Sequence, residues 1–102
     1  MYKLHVTELG NQDLGKIVSY IAVQLANPMA AGDFLDEVDK CYGYLKANPM
    51  MYAKCEDKLL KVEGYRKVSI KNYLLVYKIN EETKTVNILR FFYGAQHYVN
   101  LI

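Results

Sequence analysis

Between Tyr65 and Tyr93 the chain reads YRKVSIKNYLLVYKINEETKTVNILRFFY. Three runs rich in Val, Ile, Leu, Tyr and Phe are divided by Lys71-Asn72 and by the polar stretch Asn80-Glu81-Glu82-Thr83-Lys84. Each run is strand-sized, and its β-branched and aromatic content suits a pleated, half-buried surface. Both interruptions are short enough to force consecutive strands antiparallel. The pattern predicts a three-stranded antiparallel meander, one face of which the remaining chain must cover. Residues 2–7, YKLHVT, also alternate, with Leu4 and Val6 on one side and Lys3, His5 and Thr7 on the other. That is a half-buried strand, expected beside the meander as a fourth, with His5 on its polar side.

From about Asn11 to Ala26 the period changes. Leu14, Ile17, Val18, Ile21 and Leu25 form one stripe of an amphipathic helix, with Asn11 or Asp13 available to cap its start. Asn27-Pro28 then marks a new helix start, because Asn is a favoured N-cap and Pro is tolerated in the first turn. The second helix is expected from Pro28 to about Ala47. Its inward positions are Ala31, Phe34 or Leu35, Val38, Tyr42 and Leu45, and Asp33, Asp36, Glu37, Asp39 and Lys40 point mostly outward. Asn48-Pro49 stops it. So short a turn makes the two helices an antiparallel hairpin whose apolar stripes cover one sheet face. In residues 50–64, MMYAKCEDKLLKVEG, the expectation is a lid of Met50, Met51 and Tyr52. Leu59, Leu60 and Val62 then form a short edge strand or a loop, and Gly64 a turn. The order is β-α-α-β-β-β, an α+β domain with a helical hairpin packed on a small antiparallel sheet.

The length of 102 residues suits one domain that buries roughly 65% of its unfolded surface. A hydrophobic share of 52% excludes a disordered chain. No apolar run approaches the roughly 20 residues of a membrane span, and the start MYKLHVTEL lacks the apolar core of a secretory signal. The expected setting is the cytoplasm, without membrane contact. Cys41 and Cys55 have no CxxC spacing. Cys41 lies on an apolar helical face as a small buried hydrophobe, and both are expected as reduced thiols. His5 and His97 stand at opposite ends and no cluster has ligand spacing, so neither a metal site nor a cofactor is expected.

The net charge of +2 conceals a division. Residues 1–52 hold four Lys against six carboxylates, and residues 53–102 hold nine Lys/Arg against five. The excess falls on Lys54, Lys58, Lys61, Arg66, Lys67 and Lys71, where it either attracts an anionic partner or keeps a solvated face soluble.

The element order, with FLDEVDKCYGYLKANP, YRKVSIKNYLLVYKINEETKTVNILRFFYG and a Tyr-containing tail, resembles the RelE/ParE superfamily over nearly the whole chain. The resemblance implies the toxin of a type II toxin–antitoxin pair, neutralised by an antitoxin wrapped over it. RelE-like members of that superfamily are ribosome-dependent mRNA endonucleases. Basic residues on the sheet and a Tyr or His near the C-terminus promote attack by the RNA 2′-OH. ParE-like members share the fold, poison DNA gyrase and do no nuclease chemistry.

Carried onto this chain, the resemblance names Arg66 as the basic residue of the first meander strand. There a guanidinium can stabilise charge on a pentavalent phosphate, or simply protect a strand edge. Lys61, Lys67 and Lys71 add positive potential for a target. Arg90 matches a commonly basic position whose partner is either the target or a structural carboxylate. His97-Tyr98 is similar to the His-Tyr ending of YoeB-like RNases, with His97 placed for acid–base work. Tyr98 either positions the phosphate or anchors the tail with Val99 and Leu101. Two departures oppose nuclease activity. Leu74 replaces the Arg of a usual Gly-Tyr-Arg, and Gln96 replaces the Arg of a usual Gly-x-Arg. Tyr65, Tyr73, Tyr77 and Tyr93 either stack on bases or pair across strands. Two functions therefore compete. One is a growth-inhibiting toxin acting on gyrase or, as a metal-independent endoribonuclease, on ribosome-bound mRNA. The other is a degenerate module that retains antitoxin binding and operon autoregulation. In either case a groove between hairpin and sheet is expected to take an amphipathic helix or an added strand of the antitoxin.

Overall fold

The aromatic and β-branched runs form the expected meander in the computed structural model, which describes residues 1–94. Its strands are β2 (Arg66–Ile70), β3 (Tyr73–Asn80) and β4 (Thr85–Tyr93). β2 and β3 turn back through Lys71, which adopts a left-handed φ of +56°. At the second turn the Asn80 side chain accepts from the Glu82 and Thr83 amides, which holds residues 80–84 in place of a longer loop. The N-terminal strand β1 (Lys3–Val6) is present and lies at the far edge of the meander. It runs parallel to β4, with Lys3 opposite Thr85 and Val6 opposite Ile88, giving a mixed sheet in the order β1-β4-β3-β2.

Period-2 alternation separates the two faces of this sheet. Val68, Ile70, Leu75, Tyr77, Val86, Ile88 and Phe91 lie in the main core with Leu4 and Val6 against them. The other face carries Lys67, Ser69, Leu74, Val76, Lys78, Asn87 and Phe92. One irregularity interrupts the β3–β4 ladder. Tyr77 faces Ile88 but Val76 faces Arg90, so Leu89 is the extra residue of a bulge.

At that bulge the first helix begins. α1 (Glu8–Ser19) starts three residues earlier than the apolar stripe suggested, because Thr7 is its N-cap and accepts from the Gly10 amide at 3.0 Å. Thr7 also ties the helix to β4, its amide donating to the Ile88 carbonyl and its hydroxyl to the Leu89 carbonyl. Helix and strand approach so closely that a Cβ on Gly10 would lie 3.1 Å from the Ile88 carbonyl oxygen. Beyond Ser19 the helix widens into a π turn, Tyr20–Gln24, closed by a Leu25 amide bond to the Tyr20 carbonyl. The wider turn rotates the following residues off the stripe. Leu25, expected inward, is therefore 56% exposed.

α2 (Pro28–Ala47) keeps its expected bounds, with the Asn27 side chain accepting from the Ala30 amide. It buries Ala31, Phe34, Val38, Cys41 and Leu45, and leaves Tyr42 at the margin and Asp33, Asp36 and Asp39 outside. The segment after it differs from expectation. Pro49, Cys55 and Leu60 are buried and Tyr52 packs against the core, but Met50 and Met51 remain half exposed rather than joining it in a lid. Leu59–Val62 is neither strand nor loop but belongs to a single helical turn, α3 (Lys58–Val62). Asp57 caps its start, accepting from the Leu60 amide, and Gly64 at φ +85° ends it. The edge pairing falls instead to Lys54, which bridges to Arg66, and to Cys55, whose amide donates to the Tyr65 carbonyl.

Candidate functional site

The candidate residues separate according to strand alternation. Arg66 stands opposite Tyr77 and Lys67 opposite Val76, so these neighbours project to opposite faces of the sheet. Arg66 is on the helix side. Its guanidinium donates to the Tyr52 carbonyl at 2.5 Å, and beside it the buried Tyr77 hydroxyl donates to the Pro49 carbonyl at 2.6 Å. Burial raises the Tyr77 phenol pKa above its usual value, with the nearby Arg66 charge opposing the shift. These two donors fasten the short 3₁₀ turn Pro49–Met51 and the following Tyr52 to the sheet by satisfying their carbonyls. Lys71 is exposed at the β2–β3 turn and Lys61 is exposed on α3. Arg66, Lys61, Lys67 and Lys71 thus do not converge on one concave surface.

Arg90 is held at the opposite edge. Its Nε and Nη2 fork onto the two Asp13 oxygens at 2.7 and 3.2 Å, and the Phe91 amide donates to the same carboxylate at 3.1 Å. Both side chains are largely enclosed, 24% and 13% exposed. The hydrogen bonds to Asp13 push the guanidinium pKa further up, and the plane also lies 4.9 Å from the Phe92 ring centre. Asp13, expected as a cap, instead ties α1 to the second half of β4, beyond the Thr85–Ile88 stretch that β1 pairs among the described residues. A structural carboxylate, Asp13, is thus one partner of Arg90. Neither Asp13 nor the Tyr52 carbonyl was identifiable beforehand, because nothing local in sequence marks a partner 77 or 14 residues away.

Leu74 lies on the face opposite the main core, half buried, where RNase-like relatives were expected to place an Arg. Tyr77 is unavailable for stacking. Tyr73 is packed between Phe34 and Tyr93 with ring centres 5.1 and 5.7 Å away, and Tyr65 lies beneath Lys78. Gly94, which closes the YG phrase, sits so near the β2–β3 turn that a Cβ there would be 3.0 Å from the Asn72 carbonyl oxygen. His97 and Tyr98 lie outside the described residues. Among the described residues no group of three His, Cys, Asp or Glu is placed to hold a metal ion, and no helix is long and apolar enough to cross a membrane.

The chain matches the family model for the ParE toxin of the type II toxin-antitoxin system parDE over residues 4–98. It belongs to the ParE toxin family. Solved structures of similar fold include the chromosomal ParDE system of P. aeruginosa, at 20% identity and a TM-score of 0.71, covering 91% of this chain and 96% of that one. The RelBE2 toxin-antitoxin complex of Mycobacterium tuberculosis gives 24% identity and a TM-score of 0.63, covering 90% and 96%. The isolated RelE toxin of E. coli gives 17% and 0.62, covering 99% and 93%. Among curated proteins no match was found. This ParE-family toxin therefore shares its backbone plan with RelE as well as with ParDE chains, and the fold alone does not separate their activities.

Proposed function

We propose that this ParE-family toxin arrests growth by binding a macromolecular target, in the manner of a gyrase poison, rather than by cutting mRNA, and that a cognate antitoxin holds it inactive. The observation that carries the reading is the engagement of both arginines in the chain. Arg66 donates to a backbone carbonyl under the 49–52 segment, and Arg90 is forked onto Asp13. RNA cleavage without a metal needs preorganised cations aimed at the developing phosphate charge, and a guanidinium already holding the fold is poorly placed to supply one. Leu74 supports the same reading. The antitoxin proposal draws on the solved relatives, of which RelBE2 of Mycobacterium tuberculosis is described as a toxin-antitoxin complex. It also draws on the outer edge of β2, which among the described residues pairs with residues 53–55 and which a partner strand could extend.

The test is purified toxin, obtained by coexpression with its neighbouring small open reading frame and separated under denaturant. Added to gyrase and plasmid DNA, it is expected to block supercoiling or trap cleaved DNA, and an excess of the coexpressed partner is expected to reverse this. Normal supercoiling together with no growth defect on induction would instead favour a module that retains only antitoxin binding and autoregulation.

A further inference from the structure

From Ile17 to Gly32 the chain carries no charged residue. This stretch comprises the end of α1, the π turn and the start of α2, so its middle forms the tip of the helical hairpin. Three large apolar side chains at that tip face solvent: Val23, Leu25 and Met29 are 67%, 56% and 78% exposed. Exposed apolar residues scattered singly are ordinary, but three gathered on one short connection mark an interaction surface.

The backbone is arranged to present them. A regular helix would carry Leu25 inward with Leu14, Ile17, Val18 and Ile21, and the π turn takes it out. The connection then passes through Ala26, a non-glycine residue in the left-handed region at φ +49°, a conformation that a Cβ opposes. Amides of Leu25, Ala26 and Asn27 donate to the Tyr20, Val23 and Ile21 carbonyls and hold this shape. The tip is thus a preformed knob, and docking it costs little further ordering.

The charges beside the tip select its partner. Met29, Asp33 and Asp36 share one face of α2 at helical spacing. Both carboxylates are exposed and form no ion pair among the described residues. They would repel an anionic lipid surface or a nucleic-acid backbone. In a two-fold contact between copies of this chain, acid would meet acid. What fits is a protein pocket with an apolar floor and a rim of Arg or Lys.

We propose that the hairpin tip is the surface with which the toxin grips its target. Val23, Leu25 and Met29 enter an apolar pocket, and Asp33 and Asp36 pair with its basic rim. A few desolvated apolar anchors carry the energy of such a contact, and the carboxylates set its orientation and sign. This rests on the reading of the toxin as a binder of its target and deepens it, since an enzyme that handles DNA carries basic surface along its DNA path.

The test compares full-length wild type with a triple variant, Val23→Ser, Leu25→Ser and Met29→Ser, and a double variant, Asp33→Lys and Asp36→Lys. All five positions are exposed, and circular dichroism checks the fold, with the double variant carrying the test should the serines lower the melting temperature. Inhibition of gyrase supercoiling should need at least about ten-fold more of the triple variant and about five-fold more of the double variant. Growth arrest at equal abundance should weaken in the same order, both variants should still copurify with the coexpressed partner, and salt should weaken the wild type more than the double variant. A wild type that arrests growth and leaves gyrase intact sinks the gyrase reading alone, and the growth comparison then decides the role of the tip. Undiminished arrest by the folded variants would overturn the proposal, and a wild type that neither arrests growth nor inhibits gyrase would overturn both. So would three other outcomes overturn the role of the tip: loss of the partner complex in the triple variant, binding to phosphatidylethanolamine–phosphatidylglycerol vesicles that the serines abolish, or a wild-type dimer that they split.

Discussion

The two edges of the sheet are each fastened by an arginine, and they are fastened differently. At the β2 edge Arg66 donates to a neutral carbonyl, so its charge survives the contact. At the β4 edge Arg90 meets a carboxylate that also accepts the Phe91 amide, so charge and hydrogen bonds are satisfied together. The difference teaches that one residue type, read as a functional candidate at both places, serves two kinds of structural closure. One holds an irregular connection, and the other holds a helix over a strand edge that β1 is too short to reach.

The comparison can be broken most severely at the β4 edge. Asp13→Ala leaves an enclosed guanidinium and a strand amide without their partner, an expected loss of about 3 kcal/mol. Thermal melting should fall by roughly 12–24 °C in a domain of this size. At the β2 edge Arg66→Ala removes a charge-assisted bond and should cost about 1.5–2 kcal/mol, with Tyr77→Phe similar because it orphans the Pro49 carbonyl. A denaturation series in which Arg66→Ala costs as much as Asp13→Ala would erase the distinction. Two glycines of α1 sharpen it further. Gly10→Ala pushes a Cβ against the Ile88 carbonyl and should lose about 1–2 kcal/mol, whereas Gly15→Ala meets open space and should gain about 0.5–1 kcal/mol.

The smallest expected effect is a pH dependence under the helices. Burial pushes the Cys41 thiol up to about 11, and burial, with the nearby Cys41 and Asp39 charges, pushes the Tyr42 phenol up to about 12. Both groups hold their protons more tightly folded than unfolded, so their contribution is complete below pH 9 and declines as pH rises through 11 to 12. Urea midpoints should therefore fall from pH 9 upward, and Cys41→Ala should flatten the first part of that decline.

Much of the architecture was legible because it rests on local rules. Asn27-Pro28 and Asn48-Pro49 delimit α2, and the alternation of residues 65–93 yields three strands with a turn at Lys71-Asn72 and another in residues 80–84. What escaped depends on contacts distant in sequence. The parallel pairing of β1 with β4 is a choice between two sheet edges that alternation cannot make. The early start of α1 depends on Thr7 reaching β4, and the exposure of Leu25 on a π turn that periodicity assumes away. Of the candidate site, Arg66 and Arg90 were picked out by residue type, but their partners, Tyr52 and Asp13, are set only by the fold.

The central claim is that the arginines secure the fold and the toxin acts by binding. Its most direct test maps mRNA ends by primer extension in cells expressing the chain alone, with Arg66→Lys and wild type compared at equal abundance. The account predicts growth arrest without codon-phased cuts, and arrest by Arg66→Lys in proportion to the folded protein that survives. Phased cuts made by the wild type and lost in a fully folded Arg66→Lys variant would contradict it.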